Sequence, residues 1–220
     1  MVKPRETLAI SIVSATWNER ETLPALVQRI HEALSRIRHE IIIVDDSSPD
    51  GTYTLASKLA DKAICKKREG QSIALLTGIR EAKHPIVVTI DADLENDPSN
   101  IPALVSKIEE GYDLVVASRR TLPRISERLF SRTIGRWIGV SDVLSNFRAM
   151  RKDEVIGIAV GRRETFGAEF LIRAYKQGLR VTQVQVENTP RRRDPRIGGT
   201  LKANLRILKA MFICLLMWLS

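Results

Sequence analysis

The sequence predicts an α/β protein with a mostly parallel central sheet and helices on both of its faces. Short apolar segments with strand character alternate with helical segments through the first half of the chain. These segments contain short apolar runs, which are typical of strands buried on both faces. Polar residues follow three of the strands, at the edge where sheets of this kind bind ligands.

The first half supplies most of the predicted elements. The predicted strands are Leu8–Ala15, Glu40–Asp45, Ile64–Cys65, Pro85–Asp91 and Tyr112–Ser118. The predicted helices begin near Thr22, after Gly51, at Gln71 and at Ser99. Pro24 in a first turn and Gly111 at a helix end are ordinary boundary signals. Each strand is therefore followed by a helix, as parallel pairing requires.

The second half has a different rhythm. "LPRISERLFSRTIGRWIG" is predicted to be helical, "SNFRAMRK" extended, "GAEFLIRAYKQG" helical and "LRVTQVQVEN" a half-exposed strand. "TLKANLRILKAMFICLLMWL" predicts a long final helix. We expect one domain over residues 1–200, followed by a basic and apolar helix over 201–220.

Composition limits the class of protein and of partner. Among 220 residues, 44% are hydrophobic and 28% charged, which excludes wholesale disorder. Residues 1–117 carry a net charge of −4 and residues 118–220 a net charge of +13. A basic half fits nucleic acid, an anionic membrane surface or a phosphorylated substrate. Only two cysteines, Cys65 and Cys214, argue against a disulfide framework and favour a reducing compartment.

Four acids cluster after the predicted strand in "IVVTIDADLENDP". Asp91 and Asp93 are two residues apart, so in extended backbone their carboxylates point the same way. Glu95 joins them if that geometry continues. Three such oxygen donors suit Mg²⁺ or Mn²⁺. The alternative is a polar loop whose acids cap the next helix, and Asp97 is predicted to be such a cap.

Two other strand ends carry candidate binding residues. In "VDDSSPDGT", Asp45 or Asp46 is a candidate acceptor of hydrogen bonds from a nucleotide base, or the stretch is only a turn that starts a helix. In "ATWNERETL", Trp17 offers an apolar wall and Glu19 an acceptor. The alternative for Trp17 is a place in the core.

Arginines dominate the basic half. Arg124, Arg128, Arg132 and Arg136 recur at every fourth position, which predicts a slowly drifting stripe on one helix face. Such a stripe indicates an anionic partner or a solvated face. Candidate phosphate-binding arginines also include Arg119, Arg148, Arg193 and Arg196. In the final helix, basic residues precede ten apolar ones, which predicts either a membrane-surface helix or a buried core helix.

Seven stretches of the chain carry a family resemblance: "TWNERETL", "IIIVDDSSPDGT", "DADLENDP", "DLVVASRR", "SNFRAMRK", "GAEFLIRAYKQGLRV" and "PRRRDPRIGG". In this order they resemble the family 2 glycosyltransferases over nearly the whole chain. Within that family they are similar to the dolichol-phosphate mannose synthase-like, or polyprenyl-phosphate glycosyltransferase, branch. The resemblance implies a GT-A (Rossmann-like) fold, a nucleotide-sugar donor and a divalent cation, Mg²⁺ or Mn²⁺.

The resemblance also implies roles for single residues. Donor binding is assigned to Trp17, Glu19, Asp46, Asp91, Ala92, Arg193 and Arg196. The metal is assigned to Asp91, Asp93 and Glu95, and catalysis to Asp93, Arg119, Arg132 and Arg148, with the arginines on the acceptor phosphate. Residues 1–117 would form the nucleotide and metal half, and residues 118–200 the acceptor half.

The predicted reaction is inverting, metal-dependent transfer of a hexose to a polyprenyl or dolichyl phosphate. Mannose from GDP-mannose is favoured, with UDP-glucose open. No catalytic base is expected, because a phosphate acceptor is already largely ionised. The alternatives are a different acceptor, a nucleotidyltransferase, or a non-catalytic basic module that binds membranes or nucleic acid. We expect a membrane-surface partner, no nucleic acid, a possible membrane subunit, and a location at the cytoplasmic membrane face, peripheral or anchored by the final helix.

Overall fold

The computed structural model of the chain describes residues 9–158, 166–187 and 200–219. The strands of this part are β1 (Ala9–Thr16), β2 (Arg38–Asp45), β3 (Lys62–Cys65), β4 (Ile86–Thr89), β5 (Leu114–Arg119), β6 (Arg148–Arg151) and β7 (Val181–Val186). Its α-helices are α1 (Leu23–Ala33), α2 (Thr52–Leu59), α3 (Gln71–Glu81), α4 (Ile101–Glu109), α5 (Ile125–Phe130), α6 (Arg136–Ile138), α7 (Lys152–Val155), α8 (Phe166–Lys176) and α9 (Thr200–Leu219). A 3₁₀ turn, Pro98–Asn100, precedes α4, and a π-helical turn, Ser131–Gly135, joins α5 to α6.

The seven strands form one sheet in the order β3-β2-β1-β4-β6-β5-β7. All neighbours pair in parallel except β6, which is antiparallel to both β4 and β5. The predicted α/β class with a mostly parallel sheet is confirmed. The extended segment predicted at "SNFRAMRK" is confirmed as β6. Its antiparallel direction could not be predicted, because a strand of four residues carries no sequence pattern that distinguishes the two directions.

The apolar runs form strands because both faces of the sheet are covered. On β2, Ile42 and Val44 belong to one buried cluster, and Ile41 and Ile43 belong to another. The first cluster includes side chains of α3, α5, α8 and α9, and the second includes side chains of α1, α2 and α4. Because successive side chains of a strand point to opposite faces, a strand covered on both faces buries apolar side chains at consecutive positions.

The chain order creates a crevice between β1 and β4. From β1 the chain adds β2 and then β3 on one side, and afterwards crosses to place β4 on the other side of β1. Such a reversal of strand order is where open α/β sheets bind ligands, beyond the carboxyl ends of the strands.

Strand β4 is shorter than the sequence predicts. It ends at Thr89 rather than Asp91, and the backbone turns at Ala92 and Asp93. Leu94 has φ 63°, in the left-handed region. The extended geometry on which the alignment of Asp91, Asp93 and Glu95 depended therefore does not continue, because the chain bends as soon as the sheet pairing stops.

The final helix packs on the domain. Ala210 and Cys214 of α9 are buried in the same cluster as Phe130 and Ile134. Among the helices in the described ranges, none is long and apolar enough to cross a membrane.

Candidate active site

The three strand ends singled out by their polar residues are neighbours in the sheet. The pairing of β1 with β2 sets Thr16 beside Asp45, and β1 also pairs with β4. The loops 16–20, 45–51 and 90–97 therefore leave the same edge of the sheet, on both sides of the crevice. The predicted convergence of these three segments follows directly from the strand order.

Asp45 holds the first two loops together. Its Oδ1 accepts hydrogen bonds from the hydroxyls of Thr16 at 3.0 Å and Ser48 at 2.6 Å, and its Oδ2 accepts from the Ser48 N–H at 2.8 Å. The Ser48 hydroxyl in turn accepts from the Asn18 N–H. Because Asp45 is fully buried, these bonds give it a structural role in the loops rather than access to a ligand.

Asp46 fastens a third loop, the one that follows β3. Its Oδ1 accepts from the Lys66 ammonium at 3.0 Å and the Glu69 N–H at 2.9 Å, and its Oδ2 accepts from the Gly70 N–H at 2.7 Å. Burial alone would raise the pKa of Asp46, but these bonds outweigh it and lower that pKa below its usual value. The carboxylate thus places a basic loop, residues 66–70, at the site edge.

Trp17 and Glu19 lie between these loops. The guanidinium carbon of Arg68 stands 3.9 Å from the ring centroid of Trp17, which is half-buried. The carboxylate of Glu19 is buried and accepts from the Thr22 hydroxyl at 2.9 Å, while its N–H donates to the Thr52 hydroxyl at 3.0 Å. Trp17 therefore presents an apolar face covered by a cation, and Glu19 ties the start of α1 to the start of α2.

Asp91 lies two residues beyond the end of β4, on the β4 side of the crevice. Its Oδ1 accepts a 2.6 Å hydrogen bond from the Gln71 amide, whose oxygen accepts from the Asn146 amide at 3.3 Å. Burial and the neighbouring carboxylates Asp93 and Glu95 raise the pKa of Asp91 to about 7. Such mutual repulsion among acids is the condition that a bound cation relieves.

The three predicted metal ligands are not assembled into one ligand set. Within the described residues, no group of three His, Cys, Asp or Glu side chains converges as a metal site. Asp93 Oδ1 accepts the Glu95 N–H at 3.0 Å and so caps the local turn, which contains the buried Ala92. The turn at Ala92 and Asp93 ends the extended geometry on which the three-carboxylate site depended, and that site stays a prediction. A cation that keeps its waters and takes one or two carboxylates still fits.

The loop that follows confirms the predicted cap. Asp97 is the N-cap of the 3₁₀ turn, and its carboxylate accepts the Ser99 N–H at 3.0 Å.

Arg119, at the end of β5, is predicted to bind the acceptor phosphate and is ion-paired in the structure. Its Nε donates to Asp142 Oδ2 at 2.6 Å and its Nη2 to Asp142 Oδ1 at 3.3 Å. Glu127 Oε2 lies 3.7 Å from the same Nη2. Burial alone would lower the pKa of Arg119, but Asp142, Glu127 and the field of Glu95 outweigh it and raise that pKa above its ordinary value. The field of Glu95 links this arginine to the acidic loop.

The other predicted arginines take different positions. Arg148 is 1% exposed and donates to the carbonyls of Ser145, Val143 and Gly167. Burial lowers its pKa to about 10. Its Nε and Nη2 thus support the backbone on both sides, whereas its buried Nη1 has no hydrogen-bond partner among the described residues. The assignment of Arg148 to the acceptor phosphate stays a prediction. Arg132 is exposed in the π-helical turn, and Arg193 and Arg196 lie outside the described residues.

Residues 11–166 match the family model described as glycosyl transferase family 2, which spans more than half of the chain. The chain belongs to this family. The resemblance seen in the sequence is thereby confirmed, and the site edge is that of a family 2 glycosyltransferase domain.

Two curated relatives show the range of the similarity. The dolichol-phosphate mannosyltransferase of Pyrococcus furiosus is 35% identical over 170 residues, covering 69% of this chain and 48% of the relative. The undecaprenyl-phosphate 4-deoxy-4-formamido-L-arabinose transferase of Pseudomonas fluorescens is 29% identical over 227 residues, covering 96% of this chain and 65% of the relative. The chain thus spans about half to two-thirds of the length of these relatives.

Solved structures confirm the GT-A fold. The glucosyl-3-phosphoglycerate synthase of Mycobacterium tuberculosis, in complex with Mn²⁺, uridine diphosphate and glucosyl-3-phosphoglycerate, superposes with a TM-score of 0.77 at 22% identity. The superposition covers 96% of this chain and 80% of that one.

Several residues at the site of this family 2 domain were missed by the sequence reasoning: Arg68, Gln71, Glu127, Asp142 and Asn146. Gln71 and Asn146 carry no charge, and only the folded chain brings them to Asp91. Asp142 and Glu127 could have been found from the sequence, because residues 118–220 contain 21 basic but only eight acidic residues. A buried acid in so basic a segment is expected to pair with an arginine.

Proposed function

We propose that the chain transfers a sugar from a nucleotide sugar to a polyprenyl phosphate. The observation that carries this proposal is the crevice between β1 and β4, where the acidic loop 91–97 follows β4 and the ion-paired Arg119 ends β5, one strand farther along the sheet than β6. An acidic side suits a cation with a diphosphate, and a guanidinium suits a phosphate acceptor. The names of both curated relatives include a lipid phosphate, which supports this acceptor class.

The donor nucleotide is proposed to lie over the loops of β1, β2 and β3. Trp17 would supply an apolar face to the base, and Glu19 and Asp46 would accept hydrogen bonds from the base and ribose. Asp46 already accepts three hydrogen bonds, so its present role is to position the 66–70 loop. Lys66 and Arg68 of that loop add positive charge where a diphosphate would approach. We also propose that Arg193 and Arg196 close over the diphosphate of the donor.

Asp91 and Asp93 would hold a divalent cation, Mg²⁺ or Mn²⁺, with Glu95 beside them. The raised pKa of Asp91 supports this, because its cause includes the two neighbouring carboxylates. When bound, the cation would neutralise charge on the leaving nucleoside diphosphate. Gln71 orients the Asp91 carboxylate by donating to its Oδ1.

Arg119 would hold the acceptor phosphate. The two hydrogen bonds to Asp142 fix the orientation of its guanidinium, and the planar donors of a guanidinium suit a phosphate. An ionised phosphate oxygen is already a nucleophile, so direct displacement with inversion needs no catalytic base. The chain's task is to bring two anionic substrates together, which cations on both sides accomplish.

The sugar is proposed to be mannose from GDP-mannose, with UDP-glucose as the alternative donor. The relatives' names differ in the sugar, mannose in one and a formamidoarabinose in the other. An assay of the reaction must therefore compare several nucleotide sugars as donors.

One assay tests the proposed reaction. The protein is incubated with Mg²⁺ or Mn²⁺, a polyprenyl phosphate and a panel of nucleotide sugars, and products are identified by mass. We expect a glycosyl phospholipid together with a nucleoside diphosphate. Pyrophosphate release would indicate a nucleotidyltransferase, and transfer only to 3-phosphoglycerate or another soluble acceptor would overturn the lipid acceptor.

The acceptor class also implies a location. Because a polyprenyl phosphate resides in a bilayer, the domain is proposed to associate peripherally with the cytoplasmic membrane face, with α9 as an anchor and a further membrane subunit as an option. Residues 1–117 and 118–200 stay the proposed donor and acceptor halves of one domain.

A further inference from the structure

All three histidines of the chain lie at the edge of the sheet opposite the candidate active site. His31 is in the last turn of α1, His39 is the second residue of β2, and His84 lies two residues before β4. The other end of β2 carries Asp45, six residues after His39, which is about 20 Å along an extended strand. The edge that carries the histidines is therefore remote from the donor loops.

Two of these imidazoles meet directly. His31 Nδ1 lies 2.9 Å from His39 Nε2, and the centroids of the two rings are 5.1 Å apart. His31 is exposed and His39 is half-buried. Beside them, Ile30 of α1 and Ile41 of β2 are fully buried in the same cluster. The pair therefore joins a helix and a strand whose relative position is already fixed by the core.

A backbone carbonyl sets the tautomer of His39. Its Nδ1 lies 2.8 Å from the Ile37 carbonyl oxygen, which can only accept, so this nitrogen carries the proton. The Nε2 of neutral His39 then presents a lone pair, to which His31 Nδ1 donates. Histidines that bind metals typically have one ring nitrogen held by a carbonyl or carboxylate in this way, while the other coordinates.

The spacing of the two nitrogens fits coordination of one ion. Two imidazole nitrogens that lie about 2.0–2.1 Å from the same metal, at an angle of about 90–109°, are roughly 2.9–3.4 Å apart. The observed 2.9 Å falls within this range, so a tilt of the exposed His31 ring aims both lone pairs at one point. The proton on His31 Nδ1 moves to its Nε2 through water, so the number of bound protons does not change.

The surroundings decide which kind of cation is bound. His31 is in the last turn of α1, where the partial negative charge of a helix C-terminus favours a positive ion. Arg36 and Arg38 nearby in sequence are exposed and oppose one, as exposed Glu32 favours one, but water and salt screen such charges. Affinity must therefore come from the bonds to nitrogen. Imidazole suits Ni²⁺, Cu²⁺ and Zn²⁺, whereas Mg²⁺ and Ca²⁺ prefer oxygen ligands.

We propose that His31 and His39 form a surface site for a divalent transition-metal ion, Ni²⁺, Cu²⁺ or Zn²⁺. Within the described part of the chain, no third His, Cys, Asp or Glu side chain joins the pair, so water completes the coordination. The ion ties the end of α1 to the start of β2 across the turn at 34–37. The site differs from the cation proposed at Asp91 in its place and its ligand atoms, and it does not rest on the proposed function.

Calorimetry with Ni²⁺ tests the site. The full chain, without an affinity tag, is titrated with Ni²⁺ while saturating Mg²⁺ occupies oxygen ligands elsewhere. We expect one Ni²⁺ per chain, and either His31→Gln or His39→Gln to weaken binding by at least about tenfold. His84→Gln changes the half-buried third histidine of the same sheet edge and should bind as the unmodified chain does. No binding by the unmodified chain, unchanged binding in both variants, or an equal loss in the control would overturn the proposal.

Electron paramagnetic resonance of bound Cu²⁺ counts the nitrogen ligands without relying on a variant. We expect hyperfine splitting from two imidazoles in the unmodified chain and from one in each single variant. A spectrum without nitrogen splitting would place the ion on carboxylates and refute the pair.

Thermal unfolding checks that the variants fold and that the ion links the two elements. Without metal, the melting temperatures of the variants should equal that of the unmodified chain. Because an ion that binds only the folded pair stabilises it, Ni²⁺ should raise the melting temperature of the unmodified chain and of His84→Gln, but not of His31→Gln or His39→Gln. An equal rise in all four proteins would show that Ni²⁺ binds elsewhere, and the pair would then serve only as a hydrogen bond.

Discussion

At the scale of single residues, the charged groups of the site already have partners within the protein. Arg119 is held by Asp142 and faces Glu127, and Asp46 is held by Lys66 and two backbone N–H groups. A phosphate that binds to Arg119 must therefore compete with a carboxylate. Of the two acids, Glu127 is the weaker holder, because its Oε2 is buried without a hydrogen bond among the described residues.

Replacing Glu127 by Gln should strengthen acceptor binding. Removing the negative charge 3.7 Å from Arg119 Nη2 frees that cation for a phosphate, which is worth about 1 kcal/mol, or roughly a fivefold lower KM for the acceptor. We expect kcat to change little. Steady-state kinetics with varied acceptor concentration measures both kcat and the KM for the acceptor. The control is Glu110→Gln, which changes a solvent-exposed acid directly after α4. A raised KM would show that Glu127 assists phosphate binding instead.

Asp46→Asn should loosen the basic loop in a pH-dependent way. Because the pKa of Asp46 is lowered in the folded chain, its stabilising contribution is present above the usual value of 3.8 and disappears as pH falls through the folded value. We expect a loss of about 1–3 kcal/mol at neutral pH, which shrinks towards zero in acid. Thermal unfolding from neutral pH to below pH 3.8 measures it. Asp153→Asn, at an exposed site, is the control. A loss for Asp46→Asn that is constant at every pH would contradict the assignment.

At the scale of elements, the π-helical turn is the feature with the widest consequences. Within and beside it, Arg128, Arg132 and Arg136 are exposed, whereas Phe130 and Ile134 lie in the core. Gly135 lies at its end, and a Cβ added there would meet the Val140 carbonyl oxygen at 2.4 Å. The close approach of two backbone segments explains why this position requires glycine.

Gly135→Ala should therefore destabilise the chain. A backbone clash of this size cannot be relieved by rotating a side chain, and we expect a loss of about 1–3 kcal/mol. This corresponds to a melting temperature lower by roughly 2–12 °C for a chain of this length. Gly157→Ala, where nothing lies within 4 Å of the added Cβ, is the matched control. Equal melting temperatures for the two variants would contradict the close approach.

The elements also show what sequence patterns could predict. Fully apolar strands, proline in a first helical turn and glycine at helix ends predicted β1, β2, α1 and α4 to within a few residues. The early end of β4 at Thr89 and the π turn were not predictable. In both places the residue pattern of the element continues in the sequence, and tertiary packing decides where the element ends. The turn that follows β4 therefore separates the backbone of Glu95 from the extended course that the sequence predicts, and the contacts of Arg148 with backbone carbonyls had no signal in the sequence.

At the scale of the whole molecule, an acidic half and a basic half share one sheet and meet at one crevice. The order β1-β4-β6-β5 brings the acidic loop of β4 near Arg119 at the end of β5, so two anionic substrates would be held from opposite sides. Charge counts predicted the two halves. The strand order that joins them, with β6 inserted antiparallel, came only from the fold.

The most direct test of this two-sided site compares donor binding with transfer after Arg119 is changed. The variant Arg119→Ala is combined with Asp142→Asn, so that no buried carboxylate is left unpaired, and Asp142→Asn alone is the control. Donor affinity is measured by calorimetry and transfer by product formation. We expect transfer to fall by at least about a hundredfold while donor affinity stays within about twofold of the control. Equal loss of donor binding and transfer, or retained transfer, would contradict the account.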